Sequence, residues 1–152
     1  MATTNQNPAA PKFTAAFCHK VEGKNRITIP AAWRFEEAVE LYMIERSTQR
    51  CVSVMPLAEV ERLRAKADQM EPEERTDFLD TFATSLRLVT LDKTGRLTIP
   101  EDFSELLGLP DAREVWLSGS LDTFNIWSVA DFTGFQAADK ARKEALKRKL
   151  GI

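Results

Sequence analysis

One ten-residue segment occurs twice in this sequence. Residues 21–30 read Val-Glu-Gly-Lys-Asn-Arg-Ile-Thr-Ile-Pro, and residues 91–100 read Leu-Asp-Lys-Thr-Gly-Arg-Leu-Thr-Ile-Pro. Each copy has an acid, three loop-forming residues, an arginine, a short strand-like stretch and a proline that ends it. A duplicated unit of this kind predicts a fold built from two internal repeats. It also places a basic residue at the same local position twice.

Length and composition are those of an ordinary soluble globular protein. The chain has 152 residues, of which 43% are hydrophobic and 29% charged, enough for one domain or two closely packed half-domains. The polar N-terminal segment has no signal-peptide pattern, and no apolar run reaches the length that spans a membrane. Cys18 and Cys51 make no disulfide framework, so we expect a reducing, cytoplasmic location.

Charge is distributed unevenly. The formal net charge of −2 argues against a wholly basic nucleic-acid coat but allows a local basic patch. The last fourteen residues carry Asp139 and Glu144 against six basic side chains: Lys140, Arg142, Lys143, Lys147, Arg148 and Lys149. Such a run is either the solvated face of a helix or an extra DNA contact, and the solvated face is the commoner case.

The order strand, loop, strand, short helix, strand, strand, helix occurs twice along the chain. We predict a disordered leader at 1–11, a first repeat at 12–70, a linking helix at 71–85 and a second repeat at 86–152 with a basic C-terminal helix. Predicted strands are 13–21, 26–29, 41–45, 51–55, 86–91, 96–99, 114–117 and 123–127; predicted helices include 31–39, 56–70, 100–107 and 129–150. Short strands need partners, so the two copies are expected to interleave into one small barrel, an α+β fold that is mainly β.

The acid–loop–arginine motif has two readings. Asp92 and Arg96 flank three residues that suit a hairpin loop, with Gly95 in a left-handed conformation. Asn25, which also tolerates positive φ, stands at the corresponding position in the first copy. Each acid–arginine pair is either a salt bridge that pins the hairpin or part of a basic loop offered to phosphate oxygens or a guanine edge. Duplication favours the second reading, because two related loops could follow a groove.

Other chemistries lack the residues they need. His19 is the only histidine, and with two distant cysteines it makes no four-ligand metal set. No convergent nucleophile and base are evident, and no phosphate-binding glycine loop is present. We therefore expect no catalytic residues, no metal, no cofactor and no enzymatic activity. The aromatic residues are expected in the barrel core or a subunit interface: Trp33, Phe103, Trp116, Phe124 and Trp127.

The second copy resembles a known signature. Asp92-Lys93-Thr94-Gly95-Arg96-Leu97-Thr98-Ile99-Pro100 is similar to the Asp-x-x-Gly-Arg-φ-x-φ-Pro pattern of the MraZ family of bacterial transcriptional regulators, within the AbrB/MazE/MraZ-like superfamily. Residues 19–34 resemble that family's first copy, and the likeness extends over about 13–152. The resemblance implies a double-split (swapped-hairpin) β-barrel in a ring-shaped homo-oligomer, an octamer or dodecamer. It also implies binding to direct repeats of double-stranded DNA upstream of a division and cell-wall gene cluster.

The resemblance also implies site residues. Arg26 is the first expected DNA contact, with Lys24 and Lys20 beside it. Lys93 and Arg96 are second candidates, for DNA or for pairing between subunits. The residues expected to orient the loops are Glu22, Asp92, Asn25 and Gly95.

The first copy departs from the family pattern in three places. Glu22 stands where aspartate is usual, Asn25 where glycine is usual, and Ala15 at an upstream glycine. The alternative function is an AbrB-fold interaction module, antitoxin-like or a scaffold, without specific DNA binding. For the regulator we expect a cytoplasmic, nucleoid-associated protein whose partners are DNA and itself, not a membrane.

Overall fold

Eight strands form one antiparallel sheet that curls into a nearly closed barrel, with helices on its outside. The computed structural model describes residues 10–152, so most of the leader predicted at 1–11 lies outside the described residues. The end strands of the sheet meet through an isolated bridge between Glu22 and Arg26. The predicted α+β class, a barrel with peripheral helices, is confirmed; the expectation of a mainly β chain is not, because the helices contain more residues than the strands.

The strands are β1 Ala16–Lys20, β2 Arg26–Thr28, β3 Val39–Glu45, β4 Val52–Met55, β5 Arg87–Leu91, β6 Arg96–Thr98, β7 Glu114–Gly119 and β8 Phe124–Trp127. The helices are α1 Leu57–Ala67, α2 Pro72–Ser85, α3 Glu101–Ser104, α4 Val129–Ala137 and α5 Lys140–Lys149. A 3₁₀ turn lies at Ala31–Trp33, and residues Gly23–Asn25 form a tight turn whose backbone is not helical at Lys24. All eight predicted strands are therefore present, with ends shifted by at most three residues.

The strand order interleaves the two repeats. The sheet runs β1-β7-β8-β4-β3-β5-β6-β2. Strand β1 pairs with β7 of the other repeat, and its counterpart β5 pairs with β3 of the other repeat. Exchanging each strand with its counterpart reproduces the same circular order, as a two-fold pseudosymmetry requires. The swapped-hairpin arrangement is thereby confirmed.

Two crossed hydrogen bonds join the repeats at the motif itself. The Ile29 N–H donates to the Gly95 carbonyl at 2.8 Å, and the Ile99 N–H donates to the Asn25 carbonyl at 2.8 Å. The end of each motif strand is thus held by the loop of the other copy. Neither loop is built by one repeat alone.

The barrel interior is filled from both repeats. The inward positions of the motif strands, Ile27 and Leu97, are buried beside Leu41 and Leu117. Each such side chain contributes about 1.5–3 kcal/mol by leaving water. Trp33 closes one part of the core, where its Nε1–H donates to the Thr14 carbonyl at 3.0 Å.

A second apolar cluster lies on the outside of β7 and β8. Helix α4 places Phe132 against Trp116, with ring centroids 4.7 Å apart, and Phe135 against Trp127, also at 4.7 Å. Cys51 completes this cluster. Trp33, Phe103 and Phe124 belong to the main core, so all five aromatic residues singled out in the sequence are packing residues.

Three predicted elements differ from the structure. The helix predicted at 31–39 is only the 3₁₀ turn, because both Trp33 and Phe35 are buried and a two-residue spacing requires extended backbone. The helix predicted at 129–150 breaks at Asp139, which has a φ of +51°. The strand predicted at 13–21 is interrupted at Ala15, whose φ is +70°.

Candidate nucleic-acid interface

Strands β2 and β6 form a two-stranded antiparallel ribbon that carries both motif arginines on one face. Arg26 lies opposite Thr98, and Thr28 lies opposite Arg96. Ile27 and Leu97 point into the core, so the other positions point outward, because side chains alternate along a strand. The two arginines are therefore diagonal neighbours on the outer surface, related by the pseudo-two-fold axis.

The second loop is organised by one carboxylate. Asp92 Oδ1 accepts hydrogen bonds from the Thr94 hydroxyl at 2.6 Å, the Thr94 N–H at 2.9 Å and the Arg96 N–H at 2.9 Å. The hydroxyl bond, followed by the Arg96 N–H bond, lowers the pKa of Asp92 below its ordinary value. Asp92 thus orients Arg96 through its backbone.

The first loop is closed at its base by similar backbone hydrogen bonds, but its central residues differ in conformation. Glu22 and Arg26 exchange backbone hydrogen bonds of 2.7 and 3.3 Å. Lys24 and Asn25 both adopt positive φ, +63° and +58°, which confirms that Asn25 can replace the left-handed glycine. Among the described residues, the Glu22 side chain makes no hydrogen bond like those of Asp92. The first loop is therefore shaped by backbone conformation, without a capping carboxylate.

Neither acid pairs with its arginine's side chain. Among the ion pairs of the described residues, none joins Glu22 to Arg26 or Asp92 to Arg96. The salt-bridge reading of the motif is therefore wrong for both copies in this structure. Both guanidinium groups remain available to a ligand.

Gly95 has a requirement that Asn25 does not share. Its φ is +87°, and the Arg34 side chain lies across it, so that an added Cβ would sit 3.1 Å from Arg34 Cδ. By the seventy-residue offset of the repeats, Ser104 takes the place of Arg34 in the second copy. Arg34 was not among the site residues predicted from the sequence; the difference between Arg34 and Ser104 at equivalent positions of the two repeats could have indicated it.

The five basic residues proposed from sequence are all exposed. Arg26 and Arg96 share the ribbon face, while Lys24 and Lys93 lie in the two flanking loops. Lys20 lies on the neighbouring strand β1, opposite Glu114. Thr28 and Thr98 complete the ribbon face. Neither was predicted from sequence as a site residue, although the alternation of apolar residues and threonine in each copy places both on the outer face.

The described residues offer no obvious alternative chemistry. Residues 10–152 contain no group of three histidine, cysteine or acidic residues placed to hold a metal ion. Cys18 is exposed, while burial raises the pKa of the Cys51 thiol to about 11. In that same part of the chain, every helix is too short or too polar to cross a bilayer.

Known proteins are similar in sequence to most of this chain. A protein named transcriptional regulator MraZ from Mycobacterium sp. (strain KMS) is 32% identical over 129 residues, which cover 83% of this chain and 87% of that protein. The chain belongs to the MraZ family. Another MraZ relative, from Corynebacterium kroppenstedtii, is 30% identical over 82% of this chain and 87% of its own length. A third, from Acetivibrio thermocellus, is 23% identical over 92% of this chain and 97% of that protein.

The sequence profile of the family, described as "MraZ protein, putative antitoxin-like", matches residues 83–151. That range contains β5, β6 and the second copy of the motif, with Asp92 and Gly95 in their usual places. The first copy, where Glu22 and Asn25 replace the usual residues, lies outside it.

Proposed function

We propose that this MraZ protein is a DNA-binding transcriptional regulator, and not an enzyme, that acts as a ring-shaped homo-oligomer on direct DNA repeats. The observation that carries the proposal is the β2–β6 ribbon, which presents Arg26 and Arg96 on one exposed face without an ion-pair partner in residues 10–152. The names of the relatives as transcriptional regulators support it.

The ribbon suits the major groove of B-form DNA. That groove admits a two-stranded β-ribbon, and an arginine fork matches the two acceptors of a guanine edge. Threonine hydroxyls such as those of Thr28 and Thr98 can donate to or accept from either strand's bases. Lys24, Lys93 and Lys20 flank this face, where ammonium groups are suited to backbone phosphates.

The two arginines are proposed to differ in role. Arg26 follows a loop without a side-chain cap, so its strand can adjust to a base edge, and it is the main base-reading residue. Arg96 follows the loop fixed by Asp92; with Lys93 it binds phosphate or pairs with a neighbouring subunit. Glu22, Asp92, Asn25 and Gly95 shape the loops.

Assembly multiplies a weak contact. One protomer offers few basic side chains, so its own affinity should be low, whereas several linked copies on repeated half-sites bind far more tightly. Phe78, Leu79 and Phe82 on helix α2 are only half-buried within the protomer, and Leu88 on β5 is 54% exposed. These apolar side chains are suited to a subunit interface of the octamer or dodecamer. We place the protein in the cytoplasm on the nucleoid, at repeats upstream of a division and cell-wall gene cluster.

The test compares the two arginines. Arg26→Ala should weaken binding to repeat-containing duplex at least about 100-fold, since a bidentate base contact contributes about 1–3 kcal/mol in each engaged protomer. Arg96→Ala should lower DNA affinity less and alter assembly or stability more. Fluorescence anisotropy measures the first effect, and size-exclusion chromatography with thermal melting measures the second.

Arg64→Ala is the matched control. Arg64 is exposed on α1 and has only a 3.7 Å ion pair with Glu61, so its removal should leave DNA binding unchanged. Normal binding by a correctly assembled Arg26→Ala protein would refute the assignment. If Arg96→Ala lost only DNA affinity, the roles of the two copies would be reversed.

The alternative is an interaction module without specific DNA binding, favoured by the antitoxin-like description of the family profile. In that case the arginines would serve protein contacts, and α5 would hold a partner. A salt titration separates the two, because phosphate contacts make affinity fall steeply with salt. Equal, weak affinity for repeat and scrambled duplex at physiological salt would favour the module.

A further inference from the structure

A depression lies at the end of the barrel, on the side of the first loop that faces away from the β2–β6 ribbon. It encloses about 220 Å³ and is lined by residues 21–25 on one side and by Leu109, Pro110, Ala112 and Arg113 on the other. Arg113 was not among the residues singled out in the sequence.

The backbone fixes Arg113 at the base of this loop. Its carbonyl accepts a hydrogen bond from the Val21 N–H at 2.8 Å, one step beyond the Lys20–Glu114 pair of the β1–β7 ladder. The side chain is exposed, and none of the ion pairs found within residues 10–152 involves it. Glu22 is the one acid that lines the cavity.

The first loop forms a wall between this cavity and the ribbon face. A depression of about 370 Å³ on the ribbon side is lined by Glu22, Gly23, Lys24, Arg26 and Thr98. Glu22, Gly23 and Lys24 border both depressions. Arg26 therefore lies on one side of the loop and Arg113 on the other, with Lys24 between them.

The second loop has no equivalent of Arg113. Under the pseudosymmetry, Val39 takes its place, because Val39 pairs with Leu91 as Arg113 pairs with Val21. Val39 packs against the core. The cationic cavity thus belongs to the first copy alone.

We propose that this cavity binds a backbone phosphate of DNA, with Arg113 and Lys24 as its ligands, while Arg26 reads a base edge across the loop. The inference rests on the proposed DNA binding and adds a site to it. An arginine fork matches two phosphate oxygens, and a phosphate contact fixes the register of the protein on the duplex without reading sequence. It also gives a reason why the first copy dominates binding, although its motif has drifted.

The experiment measures affinity against salt for the full-length wild type, Arg113→Ala and Arg113→Lys, on repeat-containing and scrambled duplexes. Arg113→Ala should weaken binding to both by the same factor, about fivefold at 150 mM salt per engaged protomer, and reduce the salt slope by about 0.9 per engaged protomer. Arg113→Lys should keep most of the slope, because the charge remains. Arg64→Ala should match wild type.

Several results would overturn the site. An unchanged slope in Arg113→Ala would do so, as would a loss confined to the repeat duplex, which is the signature of a base contact. If Arg113→Ala fails to assemble, Arg113→Gln, which keeps much of the side-chain stem, decides the question by the same slope.

Two further measurements distinguish a DNA phosphate site from a site for free anions and from an absence of DNA binding. A melting temperature of the DNA-free wild type that rises with inorganic phosphate at constant ionic strength, but not in Arg113→Ala, would identify a free-anion site instead. If the wild type binds neither duplex, the proposed function itself fails. If the wild type binds DNA but Arg113→Ala has the same dependence of affinity on salt, only the phosphate site fails.

Discussion

At the scale of single residues, the first copy keeps the left-handed backbone position of the motif although the residue there is different. Asn25 and Gly95 both adopt positive φ and both offer their carbonyl to the other repeat. A Cβ at Gly95 would also displace the exposed Arg34 side chain, which lies over it. Ala15, at a usual glycine position, also has positive φ and therefore carries strain.

Gly95→Ala should destabilise the protein by about 1–3 kcal/mol, because it combines a left-handed alanine with a collision against Arg34. Thermal melting measures the loss. Gly23→Ala is the control, since a Cβ there meets nothing within 4 Å. Adding Arg34→Ala should recover only the steric part; full recovery would show that the backbone conformation costs nothing.

Ala15→Gly should stabilise the fold by about 0.5 kcal/mol. Removing the Cβ relieves about 1 kcal/mol or more of strain at φ +70°, and the greater freedom of glycine in the unfolded chain offsets part of that gain. Ala16→Gly, on the adjoining strand β1, should instead destabilise by about 0.5–1 kcal/mol. Denaturant titration of both variants measures the change in the free energy of unfolding, which should be positive for Ala15→Gly and negative for Ala16→Gly. A loss of stability in both variants would contradict strain at Ala15.

At the scale of elements, the two loops solve one geometric task in different ways. The second uses an aspartate that accepts three hydrogen bonds, and the first uses two consecutive left-handed residues. The carboxylate at Glu22 is one methylene farther from the backbone, and no bond of this kind forms there. The result is one loop with a titratable cap and one without.

Asp92→Asn should remove a pH-dependent stabilisation of the second loop. Because hydrogen bonds to the carboxylate lower its folded pKa, their stabilisation is present above the unfolded value of about 3.9 and is lost as pH falls through the lower folded value. Wild type should therefore exceed Asp92→Asn in melting temperature at pH 7 and converge with it in strong acid. Asp111→Asn, in an exposed turn, is the control, and a constant difference across pH would exclude this cause.

The sequence predicted the repeated elements well and their connections partly. Strands appeared where apolar alternation met a proline stop, as at Pro30 and Pro100. The break at Asp139 was not predicted, because neither a proline nor a glycine marks it in the sequence; in the structure, Lys143 after the break lies 4.1 Å over the ring of Phe135 before it. Arg34 and Arg113 were missed because only the exchange of strands brings them to the loops.

At the scale of the whole molecule, a slightly acidic protein presents a small basic face. The basic side chains concentrate around the ribbon and on α5, which has no buried residue. A single such face supports modest affinity, so specificity must come from repeating it in a fixed geometry.

A duplex with three direct repeats should therefore bind at least about 100-fold more tightly than a duplex with one. Inserting about five base pairs between repeats rotates them by half a helical turn and should abolish most of that gain. Inserting about ten should restore part of it. Anisotropy on these duplexes measures the effect, and indifference to spacing would contradict a rigid ring.

The exchange of strands between repeats also dictates when the protein can fold during synthesis. Strand β1 needs β7, since Lys20 pairs with Glu114, and Ile29 needs the carbonyl of Gly95. Until that later segment has left the ribosome, the hairpin of β3 and β4 is the main sheet structure the first half can form. A prematurely terminated chain would expose unpaired apolar strands to chaperones and proteases instead of yielding a working half.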